Sequence, residues 1–312
     1  MPLFPEPTKE PVLAGKVALV TGSNTGIGFE AAGILANQSP ATLILAVRSI
    51  PSGEKAREEL LKAHPEADIR VWPLDLASFA SVRAFADKAN ELAHLDVAVL
   101  NAGVAPGSGE RPLQATADGH ELTHQVNVLS TLLLALLLVP ALRRAAEPSL
   151  VIVSSEVHAW ADSEFVVRAL AAGSLVEAVD DPAQYVNDKR YFLSKLLLQL
   201  GVRRLLPALP GIRTVSTTPG LCMTGLARGY TEAEQQAMYA RGARTAHDGA
   251  VAVTTAIFSP KSEEFWADCH ATPSPSAFMH TPAGDAASAA YWAELLPLFE
   301  KIAPGSTGVL KA

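Results

Sequence analysis

The chain has 312 residues, 49% of them hydrophobic and 18% charged, with 25 lysines and arginines against 32 acids and a formal net charge of -7. That composition buries a large core and excludes a disordered chain, and an acidic balance without long runs of one sign argues against nucleic acid as a partner. Two cysteines, Cys222 and Cys269, stand in no metal-ligand spacing, which fits structural thiols in a reducing compartment and no metal site.

Residues 1–12 carry Pro2, Pro5, Pro7 and Pro11 and read as a flexible arm ahead of a single domain over 13–312. The arm lacks the basic start and apolar stretch of a signal peptide, so a cytoplasmic protein is expected. From Lys16 the chain alternates strands and helices. Strands are predicted at 16–21, 42–47, 69–74, 97–100, 150–154 and 213–217, and helices at 27–37, 53–63, 78–92, 122–142 and 189–206. Six short apolar strands separated by helices call for one doubly wound α/β domain, a parallel sheet with helices on both faces. The Leu-rich stretch 128–142 is shorter than the ~20 residues of a membrane span. It is either a buried helix or a subunit-facing one, and the second would make the chain a homo-oligomer.

In such sheets ligands bind beyond the carboxyl ends of the strands. After the first strand, Gly22-Ser23-Asn24-Thr25-Gly26-Ile27-Gly28 opens directly into a helix. Glycines there permit a tight turn and a close approach of backbone to a pyrophosphate, and the helix N-terminus offers unpaired amides to the anion. The second strand ends at Arg48, where an NAD-preferring site would place a carboxylate for the ribose 2′-hydroxyl. A guanidinium pairs instead with a 2′-phosphate, so NADP is the expected cofactor, with Lys55 either assisting or simply solvated. Asp75 and Leu76 end the third strand; Asp75 is placed to accept from the adenine amine, to cap the next helix, or both.

Asn101-Ala102-Gly103 after the fourth strand, and Tyr191-Phe192-Leu193-Ser194-Lys195 on a helix, complete a pattern that resembles the short-chain dehydrogenase/reductases. The resemblance runs from about Leu13 to Phe299 and takes in Asn127, Ser154-Ser155, Pro219-Gly220 and Thr224. Phe265-Trp266-Ala267-Asp268-Cys269 and Tyr291-Trp292 give it the flavour of retinol-dehydrogenase-like and fungal reductase members. It implies a Rossmann-type fold and an NADP-dependent oxidoreductase of a small carbonyl compound or alcohol. By the same resemblance Asn101 to Gly103 lie beside the cofactor, Pro219 and Gly220 border the nicotinamide, Thr224 bonds its carboxamide, and Lys195 holds its ribose. Asn127 is expected to hold a relay water, and residues 221–285 to form a C-terminal substrate lid. A fungal-type reductase of secondary metabolism is one substrate class this suggests.

Tyr191 and Lys195 are four residues apart, neighbours on one helix face. A phenol of ordinary pKa ~10 needs about 4 kcal/mol to exchange protons near neutrality. An ammonium ~4 Å away supplies about that at an effective dielectric of ~20, so a lowered Tyr191 pKa is expected. Tyr191 then acts as general acid and base, and Ser155 holds the same substrate oxygen. Tyr185 also precedes a lysine by four, but Asn187 and Asp188 are N-cap types, which leaves Tyr185 outside the helix. Ser155 and Tyr191 are separated by 36 positions, and residues 156–190, holding His158, Trp160 and Phe165, read as a further substrate-binding segment. Trp160 is either a pocket residue or loop packing, and His158 a surface or capping histidine. The alternative to an enzyme is a non-catalytic dinucleotide sensor with a protein partner.

Overall fold

The computed structural model describes residues 12–311, so all of the expected arm except Val12 lies outside the described residues. Eight strands form one sheet: β1 (Val17–Thr21), β2 (Thr42–Val47), β3 (Ile69–Pro73), β4 (Val97–Leu100), β5 (Ser149–Val153), β6 (Arg213–Thr217), β7 (Glu263–Ala267) and β8 (His270–Ala271). Their spatial order is β3-β2-β1-β4-β5-β6-β7-β8, parallel as far as β7. The order reverses between β1 and β4, which opens a crevice beyond their carboxyl ends.

Helix α1 (Gly26–Ala36) follows β1, α2 (Ile50–Ala63) follows β2 and α3 (Phe79–Asn90) follows β3. After β4 come α4 (Leu122–His124), a π-helical turn at Gln125–Leu129, α5 (Ser130–Leu137) and α6 (Val139–Leu142). The long segment after β5 forms α7 (Ser163–Ala172) and α8 (Leu175–Asp180) before α9 (Asn187–Ala208). Beyond β6 lie α10 (Glu232–Ala240), α11 (Ala246–Thr255) and, after β8, α12 (Pro282–Ile302).

Alternation along the strands feeds two cores. Leu19, Ile44, Ala98, Leu100, Leu150 and Ile152 point into one, with α3, α5, α9 and α12. Ala18, Val20, Leu43, Leu45, Val97, Val99 and Val151 point into the other, with α1 and α11. Burial on both faces is why these strands read as unbroken apolar runs.

Two features depart from the sequence reading. Two strands join the sheet beyond the six expected: β7 lies inside the segment read as lid, and β8 pairs back on it through Asp268 and Cys269, both at positive φ. The single helix expected over 122–142 is interrupted by the π turn and again at Leu138. Its leucines are buried by the chain's own elements: Leu132 lies against Gly201 of α9, where a Cβ would come within 2.4 Å of Leu132 Cδ1. One face of helices α7 and α8 packs on the core, with Val166, Leu175 and Val179 buried beside α9 and α12. Glu294 of α12 accepts hydrogen bonds from the hydroxyl of Ser174 and from the amides of Leu175 and Val176, which fastens the start of α8. Among the described residues no helix is long and apolar enough to cross a membrane, and no metal-binding cluster occurs.

Candidate active site

The ends of β1 and β4 are tied together. The amides of Asn101 and Ala102 both donate to Thr21 Oγ1 at 2.9 Å, and Asn101 Nδ2 donates to the Thr21 carbonyl at 3.0 Å. The turn that follows β1 cannot carry side chains at two points. A Cβ on Gly28 would lie 2.3 Å from the Gly22 carbonyl and 2.5 Å from Asn101 Nδ2, while Gly22 sits at φ +67 and a Cβ on it would lie 3.0 Å from Ala102 Cα. Ser23 is buried and donates to the Val20 carbonyl, whereas the Thr25 side chain leaves the first turn of α1 uncapped. Amides without an intrahelical partner therefore face the crevice at the positive end of the α1 dipole. Asn24 and Ile27 are half-buried in the same turn. Thr224, at the start of the segment after β6, leans over the turn, its Cβ 3.3 Å from where a Cβ on Gly26 would stand. Pro219 and Gly220 precede it, Gly220 at φ +74 with its amide on Thr218 Oγ1.

At the end of β2, Arg48 and Lys55 are both exposed and make no ion pair among the described residues. Between them Ser49 caps α2, accepting from the Ser52 amide. Asp75 does not cap α3. Its Oδ1 accepts from the Ala77 amide at 2.9 Å, and Ser78 is the cap. Leu76 is buried in the core, and its carbonyl accepts from Ser130.

Tyr191 and Lys195 lie on α9, which packs beside β5. Lys195 is 5% exposed, with Nζ donating to the Val153 carbonyl at 3.0 Å and lying 5.7 Å from the centre of the Tyr191 ring. Ser155, just past β5, hydrogen-bonds Tyr191, while the buried Ser154 hydroxyl has no partner among the described residues. The proton affinities correct the sequence estimate. Burial pushes the Tyr191 phenol well above its ordinary value, helped by the Tyr230 and Cys222 side chains and opposed by the hydrogen bond with Ser155. Burial also brings the Lys195 ammonium down to about 8. The ammonium stands over the ring, and desolvation of the phenol outweighs its influence.

Asn127 sits in the π turn, a distortion often found at functional sites. Its Oδ1 accepts from the Val104 amide at 2.8 Å, and its Nδ2 donates to the Val104 carbonyl at 2.8 Å and to Ser194 Oγ at 3.0 Å. Ser194 in turn donates to the Tyr191 carbonyl at 2.7 Å, so Asn127 braces the turn of α9 that carries the tyrosine. Gly103 leaves room for it, since a Cβ there would meet Asn127 Oδ1 at 3.1 Å. Tyr185 lies outside α9 and donates to Asn187 Oδ1 at 3.0 Å. His158 is buried, not at the surface, bridging the Ser155 carbonyl and Ser274 Oγ at 2.6 Å each. Trp160 is 62% exposed and stands edge-on to Phe192.

The short chain dehydrogenase family profile matches residues 16–165. The chain is 40% identical over 232 residues to the short chain dehydrogenase sol3 of Alternaria solani, covering 72% of this chain and 79% of that protein. It is 33% identical over 311 residues to the short chain dehydrogenase/reductase dmxR8 of Cryptosporiopsis sp., covering 94% of this chain and 93% of the relative. This chain is a short-chain dehydrogenase/reductase. Among solved structures, salutaridine reductase from Papaver somniferum shares the fold at a TM-score of 0.64 and 23% identity, over 81% of this chain and 100% of that one.

The fold of a short-chain dehydrogenase binds NAD(P), and the glycine turn of this one fits the group: its backbone is bare where a Cβ at Gly22 or Gly28 would collide. Two residues that brace this dehydrogenase site were not identified from sequence. Thr21 joins the two central strand ends, and Ser194 links Asn127 to the Tyr191 turn; both sit directly beside motif residues, the only signal available. Tyr230, read only as part of the lid, stands close enough for its charge to be felt at Tyr191.

Proposed function

We propose that this dehydrogenase is an NADPH-dependent carbonyl reductase, and in reverse an alcohol dehydrogenase, acting on an apolar small molecule with Tyr191 as general acid and base. The observation that carries this reading is the junction of Tyr191, Ser155 and Lys195 at the carboxyl end of β5. When bound, the nicotinamide supplies the hydride. Tyr191, its phenol held above the ordinary pKa, is protonated at neutral pH, the form in which a general acid begins carbonyl reduction. Ser155 donates to the same oxygen and stabilises the charge that gathers there. Lys195, at about 8, is mostly protonated at pH 7 and supplies positive potential beside the phenol, easing its loss of the proton. Asn127 holds the Val104 backbone and, through Ser194, the turn that bears Tyr191.

The preference for NADPH rests on Arg48, just before α2, and Lys55, in its second turn, exposed cations without an ion pair among the described residues, a setting suited to a 2′-phosphate. Gly22 to Gly28, with Asn101 to Gly103, would take the rest of the dinucleotide. Asp75 retains one carboxylate oxygen for an adenine amine, and Pro219, Gly220 and Thr224 would border the nicotinamide. We place its work in the cytoplasm and in secondary metabolism, on the fungal-reductase resemblance.

The test is NADPH oxidation by the purified chain over a panel of ketones and aldehydes. Tyr191→Phe is expected to lower turnover at least a hundredfold with cofactor affinity retained, about the scale of one general acid. Nucleotide binding without any turnover would overturn the reading in favour of a sensor. Arg48→Asp is expected to weaken NADPH about tenfold more than NADH, the scale of one charge-assisted contact; equal effects would reject the phosphate contact.

A further inference from the structure

The loop after β4 holds two other segments through three residues. On one side the Ser108 amide donates to the Gly229 carbonyl at 3.2 Å, and Ser108 Oγ donates to Glu234 Oε2 at 2.6 Å. On the other, Asn187 Nδ2 donates to the carbonyls of Gly107 and Gly109 at 2.8 Å each, and the Gly109 amide donates to Asp188 Oδ1 at 3.0 Å. Gly107 and Gly229 meet backbone to backbone: a Cβ on the first would come within 2.5 Å of the Gly229 carbonyl, and one on the second within 2.8 Å of Gly107 Cα. The first turn of α9, just before Tyr191, and the approach to α10 are thus clasped on the same tripeptide.

Tyr230 lies between fastened neighbours. Gly229 precedes it in the clasp, and Thr231 follows, its amide donating to Glu234 Oε2 at 2.7 Å within the capping box of α10. Its own amide donates to the Ala227 carbonyl at 3.0 Å, and its carbonyl accepts from Gln235 Nε2 at 3.0 Å. The backbone is fixed at every point, yet the half-buried phenol hydroxyl hydrogen-bonds no described residue. It sits near Tyr191, Asp188 and Glu234, and burial with the two carboxylates raises its pKa, so it is a donor at neutral pH. A half-buried tyrosine hydroxyl that bonds no described residue is free to take a partner from a ligand, and the reacting phenol lies within its electrostatic reach.

We propose that Tyr230 is a specificity-determining residue, its hydroxyl donating to a second oxygen of the substrate while Tyr191 and Ser155 hold the reacting carbonyl. The enzyme then selects carbonyl compounds with a hydroxyl or second carbonyl close to the reacting group. This inference rests on the carbonyl-reductase reading. A site built to bond a polar group rejects the analogue that lacks it, because its own donor is left unpaired.

The experiment compares kcat/KM, with NADPH, on matched pairs that differ by one hydroxyl: benzoin with deoxybenzoin and acetoin with butanone. Wild type is expected to favour benzoin and acetoin. Tyr230→Phe is expected to lose about tenfold on those two and to stay within about twofold on their partners, the loss of one hydrogen bond. Equal loss on both members of a pair, as a merely loosened lid would give, overturns the proposal, as does no loss at all. Absence of carbonyl turnover by wild type, or turnover indifferent to Tyr191→Phe, overturns the underlying reductase reading instead.

Discussion

Replacing Lys195 with methionine is expected to stabilise the cofactor-free chain while abolishing its chemistry. The ammonium is 5% exposed, and its one hydrogen bond among the described residues goes to the Val153 carbonyl at 3.0 Å. Burial lowers its pKa from 10.5 to about 8. Below pH 8 the folded and unfolded chains both carry the proton, and folding bears the full cost of burying the charge. Between about 8 and 10.5 the folded chain sheds the proton while the unfolded chain keeps it, so this group makes stability rise with pH across that window. At about 1.4 kcal/mol per pH unit the cost below pH 8 is about 3 kcal/mol. Methionine removes that cost and forfeits a hydrogen bond worth about 1 kcal/mol, for a net gain of about 2 kcal/mol at pH 7. In a chain of this size that raises Tm by about 3 °C. Calorimetric or urea unfolding of both proteins from pH 7 to 10.5 measures it, and the advantage of Lys195→Met should shrink as the pH rises. A variant less stable than wild type at pH 7, or a difference that does not change with pH, would refute the reasoning. The result expected is a chain that gives up stability to keep a cation beside a phenol.

Gly28→Ala is expected to cost at least tenfold in NADPH affinity, read by fluorescence titration, because its Cβ would stand 2.3 Å from the Gly22 carbonyl and spread the turn. Asp180 ties the start of α4 to the end of α8, accepting from the Glu121 amide at 2.8 Å and pairing with His120 Nδ1 at 2.6 Å. Burial raises its pKa, but the hydrogen bonds from His120 and the Glu121 amide, with the His124 ring 3.6 Å away, outweigh this and hold the carboxyl well below the usual range. Its contribution to stability is therefore present above the unfolded value of about 4 and lost as pH falls below it. Asp180→Asn should lower stability at pH 7 by about 2 kcal/mol and flatten the acid limb of the unfolding profile below pH 4; a limb as steep as that of wild type would count against it.

Much of this protein was legible in the sequence because the signals were short-ranged. Apolar runs broken by glycine and helical spacing marked six of the eight strands and the order of strands and helices, and a four-residue interval put Tyr191 and Lys195 on one helix face. The glycine turn announced its own conformation, since Gly22 and Gly26 are both at positive φ. What escaped was decided by partners distant in the chain. Strand β7 is short, and only its pairing with β6 separates it from the loops around it. His158 is buried because Phe265 and Ser274 come to meet it. The proton affinity of Tyr191 could not be set by Lys195 alone, since the phenol is partly covered by the folded chain and its desolvation outweighs the cation. Periodicity and capping are properties of neighbours along the chain, whereas dielectric environment and unmet hydrogen-bonding capacity exist only once remote segments have closed around a group.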